Sequence, residues 1–325
     1  MTLVFVAGLI ALLLTIILGV PYLEFLKSKM LQQYIRDDVA KMHAQKAGTP
    51  TMGGLLIVGT AVVAAILSLF MAEAFSTILV LSLVTIVLYC YAGYTDDIKK
   101  IHKKQNKGLS ARGKLALQII VALLPALYMV FKADNTVINF FNVQGWDLDL
   151  GKIFYPIFAV FVIIGSSNAI NLTDGLDGLA GGCSFIAFSF LSALCFINGY
   201  TGLAIVSAAI AGSCLGFLYF NKFPAKIFMG DTGSLALGGA FGTIAILSKN
   251  EFWLLFLGII FIIETLSVII QVTSFKTTGK RVFKMSPIHH HFELCGWKET
   301  KIVYTFWGVT LLFSIIALAI RLFVV

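Results

Sequence analysis

The sequence predicts an all-α polytopic membrane protein of ten transmembrane helices, one domain over residues 1–325, with both termini outside and a small periplasmic-side β-hairpin. Three observations predict this. Hydrophobic residues make up 59% of the chain and charged residues 12%, with a mean hydropathy of +0.94. A soluble domain carries about 25% charged residues, and half of that cannot cover a water-facing surface. Apolar runs near the length of a membrane span, about 20 residues, recur along the whole chain. The Lys and Arg between those runs fall on alternate sides in a ratio of 20 to 4.

The runs are 3–25, 53–71, 77–94, 115–131, 153–170, 180–197, 202–220, 233–247, 252–275 and 302–325. The first has no basic residue ahead of it and is too long for a signal-peptide core, so it is read as a span. Run 233–247 is the short, Gly-rich one. An even count puts both termini on one side. Segments 26–52, 95–114, 221–232 and 276–301 hold 20 of the 24 basic residues, and Lys132, Lys152, Lys249 and Arg321 are the other four. The rich side is the cytoplasm by the positive-inside rule. The net charge of +8 is therefore largely a feature of topology and calls for no nucleic-acid partner. It also favours anionic headgroups and anionic substrates at the inner surface.

Among the outer loops only 132–152 is long. There Thr136–Phe141 and Trp146–Leu150 carry β-branched and aromatic residues on either side of Asn142–Gly145, which reads as a hairpin. The five cysteines are odd in number, lack CxxC spacing and mostly sit in or beside apolar runs, so no disulfide framework is expected.

Polar, glycine-rich and acidic residues gather in the inner loops. Lys46–Gly54 (KAGTPTMGG) joins a basic residue, a turn and hydroxyls to a helix start, which suits a phosphate as well as it suits an ordinary helix cap. Asp96 and Asp97 adjoin at the inner end of the third run, near four lysines. Two such carboxylates repel unless a cation or proton resolves them. They can deprotonate an acceptor phosphate or help organise Mg²⁺; a solvated, charge-balanced helix end is the plain alternative.

In Asn168–Gly182, Asp174 and Asp177 share a face if the segment is helical, with glycines clearing space around them. Two acids and two asparagines at a bilayer edge exceed what helix packing requires. In Asn221–Ser234, Asp231 stands just before the eighth run, placed to hold a hard cation or merely to cap the helix. Phe228 is placed to stack on a base ring, or to sit at the membrane interface like other aromatics.

His289, His290 and His291 are consecutive, which is poor spacing for one metal face. Imidazoles facing a diphosphate serve better as hydrogen-bond donors or acid–base groups. Glu264 and Gln271 lie seven apart within the ninth run, and an acid there is a functional candidate or the partner of another helix.

Five inner clusters of Asp, Lys, Asn, His and Gly, without a soluble domain, imply a cytoplasmic catalytic cleft at the membrane surface. Acids with lysines suit Mg²⁺-assisted phosphoryl transfer. There is no Walker motif, which argues against a P-loop ATPase.

On these stretches the chain resembles the bacterial phospho-N-acetylmuramoyl-pentapeptide transferases, a branch of the polyprenyl-phosphate N-acetylhexosamine-1-phosphate transferase superfamily. The superfamily stretches are Asp96-Asp97, Asn171–Gly178 (NLTDGLDG) and Met229–Ser234 (MGDTGS). The branch stretches are Lys46–Gly54 and Pro287–Glu293 (PIHHHFE), continuing to Gly296-Trp297. The match covers essentially the whole chain.

The resemblance implies that undecaprenyl phosphate attacks the β-phosphate of UDP-MurNAc-pentapeptide, giving lipid I and UMP in peptidoglycan biosynthesis. It implies Mg²⁺ held chiefly by Asp231, and Asp96 as base for the lipid phosphate with Asp97 in support. Lys46, Thr51, Asn171, Asp174, Asp177, Phe228, Gln271, His289 and His290 fall where the nucleotide or its analogues bind, and Lys100 and Lys104 where phosphates are held. Asn221 joins the substrate-binding candidates, and His289 the catalytic ones. A homodimer in the bacterial cytoplasmic membrane is also implied. Direct attack and a phospho-Asp route both stay open.

Three other readings compete. A sister transferase using UDP-GlcNAc is disfavoured by the triple-His stretch. A secondary transporter would place its polar groups at midplane in repeated halves, and no repeat is evident. A membrane scaffold gives no reason for five charged, Gly-rich loops.

Overall fold

The structure, a computed structural model, describes residues 1–29, 48–103 and 108–323. In chain order the helices are α1 (Thr2–Ser28), α2 (Gly54–Met71), α3 (Thr77–Lys103), α4 (Ala111–Phe131), α5 (Gly151–Thr173), α6 (Leu179–Ile197), α7 (Thr201–Asn221), α8 (Gly230–Leu247), α9 (Leu254–Leu257), α10 (Ile259–Thr278), α11 (Ile288–Leu294) and α12 (Glu299–Phe323). A 3-10 turn, Glu251–Trp253, precedes α9. The strands β1 (Val137–Asn139) and β2 (Asp147–Asp149) pair antiparallel, with Val137 opposite Asp149 and Asn139 opposite Asp147. The expected hairpin is therefore present, with shorter strands.

Among the described residues, nine helices are long and apolar enough to cross a membrane: α1 to α7, α10 and α12. Backbone polar groups in lipid must bond internally, so helices are the form such runs take. The run at 233–247 is also a helix, α8, but its first turn carries Asp231, Thr232 and Ser234, and it falls outside those nine. Every residue of α8 from Thr232 to Leu247 is buried. It forms the centre of the bundle with α7, itself buried over most of its length.

The outer helices reverse the soluble pattern. Phe5, Leu9, Leu13 and Ile17 on α1, and Ile153, Ile157 and Phe161 on α5, face outward, as lipid-facing residues do. Between helices, small residues replace bulky ones. A Cβ on Gly212 of α7 would overlap the Gly8 carbonyl of α1. Thr15, Thr60 and Ser213 then link α1, α2 and α7 through a buried chain of hydroxyls, at 2.7 and 2.9 Å.

Run 252–275 departs from the expected single span. It breaks at Gly258, between α9 and α10. A Cβ there would lie 2.8 Å from the Leu254 carbonyl and 3.2 Å from the Phe241 ring, so the bend needs a glycine.

The segment 174–178 departs as well. It is not helical: α5 ends at Thr173, Gly178 takes φ +78, and α6 begins at Leu179. Asp174 and Asp177 therefore do not share a helix face.

Candidate active site

The C-terminal end of α3 and the N-terminal end of α8 meet at one end of the bundle, and glycine makes the approach possible. A Cβ on Gly93 would overlap the Asp231 carbonyl, and one on Gly54 would overlap Gly233. Gly54 also donates its amide to the Met229 carbonyl at 2.9 Å, which ties the start of α2 to that of α8. These contacts bring Asp96 and Asp97 onto Asp231, 134 residues away from Asp97 in the chain. One carboxylate oxygen from each of the three lies within 4.8 Å of the others.

Two ammonium groups and an amide hold the cluster. Lys100 Nζ lies 2.7 Å from Asp96 Oδ2 and 3.0 Å from Asp231 Oδ2. Lys114 Nζ, from the first turn of α4, lies 2.7 Å from the same Asp231 oxygen. Asn171 donates from Nδ2 to Asp231 Oδ1 at 2.9 Å and to Ser234 Oγ at 2.8 Å.

The three acids do different work. Asp97 accepts from the backbone amides of Asp231 and Thr232, at 3.2 and 2.9 Å, and from the Thr232 hydroxyl at 2.7 Å. It caps α8 from a different helix and so satisfies amides that a helix start leaves without intrahelical partners. Asp231 is therefore not the N-cap that its position before the run suggested; the cap position is Met229. That leaves the Asp231 side chain turned to the lysines and Asn171. Asp96 accepts the Leu109 amide at 2.7 Å, which folds the chain after α3 back over the acids.

Asp174 ends α5 close by. Burial first, and then the fields of Asp231, Asp97 and Asp177, push its carboxyl up to about 8.

The other candidates divide by what they touch. A Cβ on Gly230 would lie 2.9 Å from Thr51 Oγ1 and 2.6 Å from Asp97 Oδ2, so Thr51 borders the acids. Phe228 is half-buried, and its backbone is laced to Pro50 and Gly53 at 2.8 Å each. Asp177 and Asn221 act on loops. Asp177 accepts the Ala225 amide at 2.9 Å, and Asn221 bonds the Gly178 amide and the Ile227 carbonyl at 3.1 and 2.9 Å. Gln271 bonds the backbone of Val282 and Phe283.

Each histidine has its own partner. His289 Nδ1 meets Glu264 Oε1 at 3.0 Å, and His290 Nδ1 meets Glu293 Oε2 at 2.7 Å. His291 Nδ1 accepts the Lys284 amide at 3.1 Å. Lys46 and Lys104 lie outside the described residues.

Sequence reasoning missed Lys114 and Glu299. In the sequence Lys114 is one more basic residue of segment 95–114, and Glu299 is an acid at a helix start; in the structure Glu299 accepts the Asp177 amide at 2.7 Å. No local pattern marks either, because each gains its meaning from a distant partner.

Apolar helices long enough to cross a membrane, with carboxylates and ammonium groups packed at one end, define the class: a multi-pass membrane protein with a charged polar site at one end of its bundle. Residues 77–249 match Glycosyl transferase family 4, and residues 46–58 match the phospho-N-acetylmuramoyl-pentapeptide-transferase signature 1. The chain is 47% identical to the phospho-N-acetylmuramoyl-pentapeptide-transferase of Anoxybacillus flavithermus, over 98% of each chain. Against the Geobacillus sp. enzyme of the same name it is 45% identical, again over 98% of each. With that of Bacillus subtilis the figures are 46% and 96% of each. The chain belongs to the phospho-N-acetylmuramoyl-pentapeptide-transferase family.

Proposed function

We propose that the chain transfers phospho-MurNAc-pentapeptide from UDP-MurNAc-pentapeptide to undecaprenyl phosphate, giving lipid I and UMP. The observation that carries this reading is the convergence of Asp96, Asp97 and Asp231 with Lys100 and Lys114. Two anionic phosphates must approach each other, and fixed cations beside a base lower the cost of that approach.

Asp96 is the base for the acceptor phosphate, held ready by the Leu109 amide and Lys100. Lys100 and Lys114 hold diphosphate oxygens, and Asn171 keeps Asp231 oriented. Asp97 keeps the start of α8 in register with α3. Asp174, Thr51, Phe228 and His289 border the side from which the nucleotide enters, and Asp177, Asn221 and Gln271 shape the loops around it.

Magnesium suits the donor set. Three carboxylates face two ammonium groups, so one negative charge remains uncompensated, and all the donors are hard oxygens. Asp231 would hold the ion, with Asp96 and Asp97 beside it, and the bound ion would neutralise charge on the diphosphate.

The topology follows the basic residues: ten crossings, α8 included, both termini outside and the acids at the cytoplasmic face of the bacterial inner membrane. A homodimer is part of the same reading.

The test is UMP release by the purified protein with undecaprenyl phosphate, comparing UDP-MurNAc-pentapeptide with UDP-GlcNAc, with and without EDTA. Release from the muramoyl donor alone, lost with EDTA, is expected. Release from UDP-GlcNAc alone would move the chain to the sister chemistry. Release that persists in EDTA would remove the metal.

A further inference from the structure

The ninth run carries an acid that the reaction above does not use. Glu264 sits within α10, fully buried, and His289 on α11 is 1% exposed. Their side chains meet at 3.0 Å, Oε1 to Nδ1. A buried carboxylate is costly and is kept where it has a specific partner. The second atom of each group, Glu264 Oε2 and His289 Nε2, is buried without a hydrogen-bond partner.

The direction of the free nitrogen matters. A Cβ on Gly175 would overlap His289 Nε2, so the ring edge lies against a residue that has no side chain. Gly175 belongs to the 174–178 turn, between Asp174 and Asp177, and is exposed on its other side. The same helix also holds the loop that leads to the triple-His segment. Gln271, seven residues after Glu264, accepts the amides of Val282 and Phe283 at 3.0 and 2.9 Å.

We propose that Glu264 is a positioning residue for the transfer reaction: its carboxylate fixes the proton of His289 on Nδ1 and presents Nε2 to the 174–178 turn that borders the substrate. A carboxylate only accepts hydrogen bonds, so a ring nitrogen facing it is the protonated one. That leaves Nε2 as an acceptor toward the turn in the neutral ring, and as a donor only when the ring carries a second proton. Glu264 does not touch substrate. It acts through His289, and the inference rests on the placement of His289 at the substrate side given above.

The test uses the full chain in lipid nanodiscs. With ¹⁵N-labelled histidine, His289 is assigned by the resonance lost in His289→Gln. In the wild type, at a pH where the ring is neutral, Nδ1 carries the proton; a proton on Nε2 instead would overturn the proposal without any variant at position 264. Glu264→Leu should scramble that preference and lower kcat about 10- to 100-fold, the usual cost of losing an orienting partner, with the donor KM within about twofold. Glu264→Asp should recover part of the loss.

A Glu264→Leu protein with wild-type kcat overturns the proposal. So does a loss of kcat and thermal stability together that Glu264→Asp does not relieve and in which the ring proton stays on Nδ1, because that marks plain packing. His289→Gln alone separates the two layers. If that variant keeps full turnover, His289 has no part in the reaction and the underlying placement fails. If it loses turnover while Glu264→Leu does not, only the positioning role fails.

Discussion

Helix α8 has a part-buried polar cluster at each end, and the two are built on opposite rules. At its start, Asp96, Asp97 and Asp231 are pressed together with Lys100 and Lys114, so like charges share a small space. At its other end, Lys249 donates to the carbonyls of Asn135 and Val137 at 3.2 and 2.7 Å and to the Tyr155 hydroxyl at 2.9 Å. Asn198 bonds Asn142 and Asn250 and takes two bonds from Arg321. Trp253 donates to Asn142 at 2.8 Å.

The second cluster fastens the hairpin, α6, α8 and α12 to one another, and most of its groups face a fixed neutral partner. The first keeps several acceptors aimed at one point. Burial alone does not separate a site from a lock; crowding of like charge does.

The sharpest way to break this comparison is at Asp231. Asp231→Asn should lower turnover by about 10³-fold, the upper end of the scale for removing one charge-stabilising group from such a site, while the protein still folds. UMP release checks the first point and thermal unfolding the second. Normal turnover at limiting Mg²⁺ would remove Asp231 from the metal site.

Lys114 gives the next largest effect. Lys114→Met removes a cation 2.7 Å from Asp231 and should cost about 10²-fold in kcat. A wild-type rate would make Lys114 a mere counter-charge for the resting cluster.

How much of this was legible beforehand follows from where the information sits. The membrane fold is written in composition and run length, which act locally, and the hairpin in the residues of 136–150. Asp96, Asp97 and Asp231 were legible because an acid at a membrane boundary is costly wherever the rest of the chain goes. Lys114 was not, since a lysine in a basic loop is ordinary until a distant acid faces it. The role of Asp97 as the cap of α8 was hidden for the same reason: the helix it caps begins over 130 residues later. The break at Gly258 was missed because an apolar run reads alike whether straight or bent; only the Leu254 carbonyl and the Phe241 ring reveal the need for glycine.

The smallest effect probes the lock. Glu251 is buried beside Lys249, and burial pushes its carboxyl up to about 7, with Lys249 opposing. Below its usual value near 4.5 the group is neutral whether the chain is folded or not, and its contribution to stability is complete. As pH rises toward 7 the unfolded chain releases the proton and the folded chain keeps it, so stability falls, by at most about 1.4 kcal/mol per pH unit. Above about 7 both forms are ionised and the loss levels off. Burial pushes Lys249 down to about 8, so it stays charged throughout that window and adds no slope.

Glu251→Gln should therefore remove a decline in thermal stability confined to pH 4.5–7, read as wild type minus variant so that other carboxylates cancel. Turnover per folded molecule should not change, because the lock is the length of α8 from the acids, about 27 Å. A difference that stays constant across the window would mean that Glu251 ionises like a surface residue. A change in turnover would mean that the two ends of α8 are coupled, and the contrast between lock and site would give way to a single connected device.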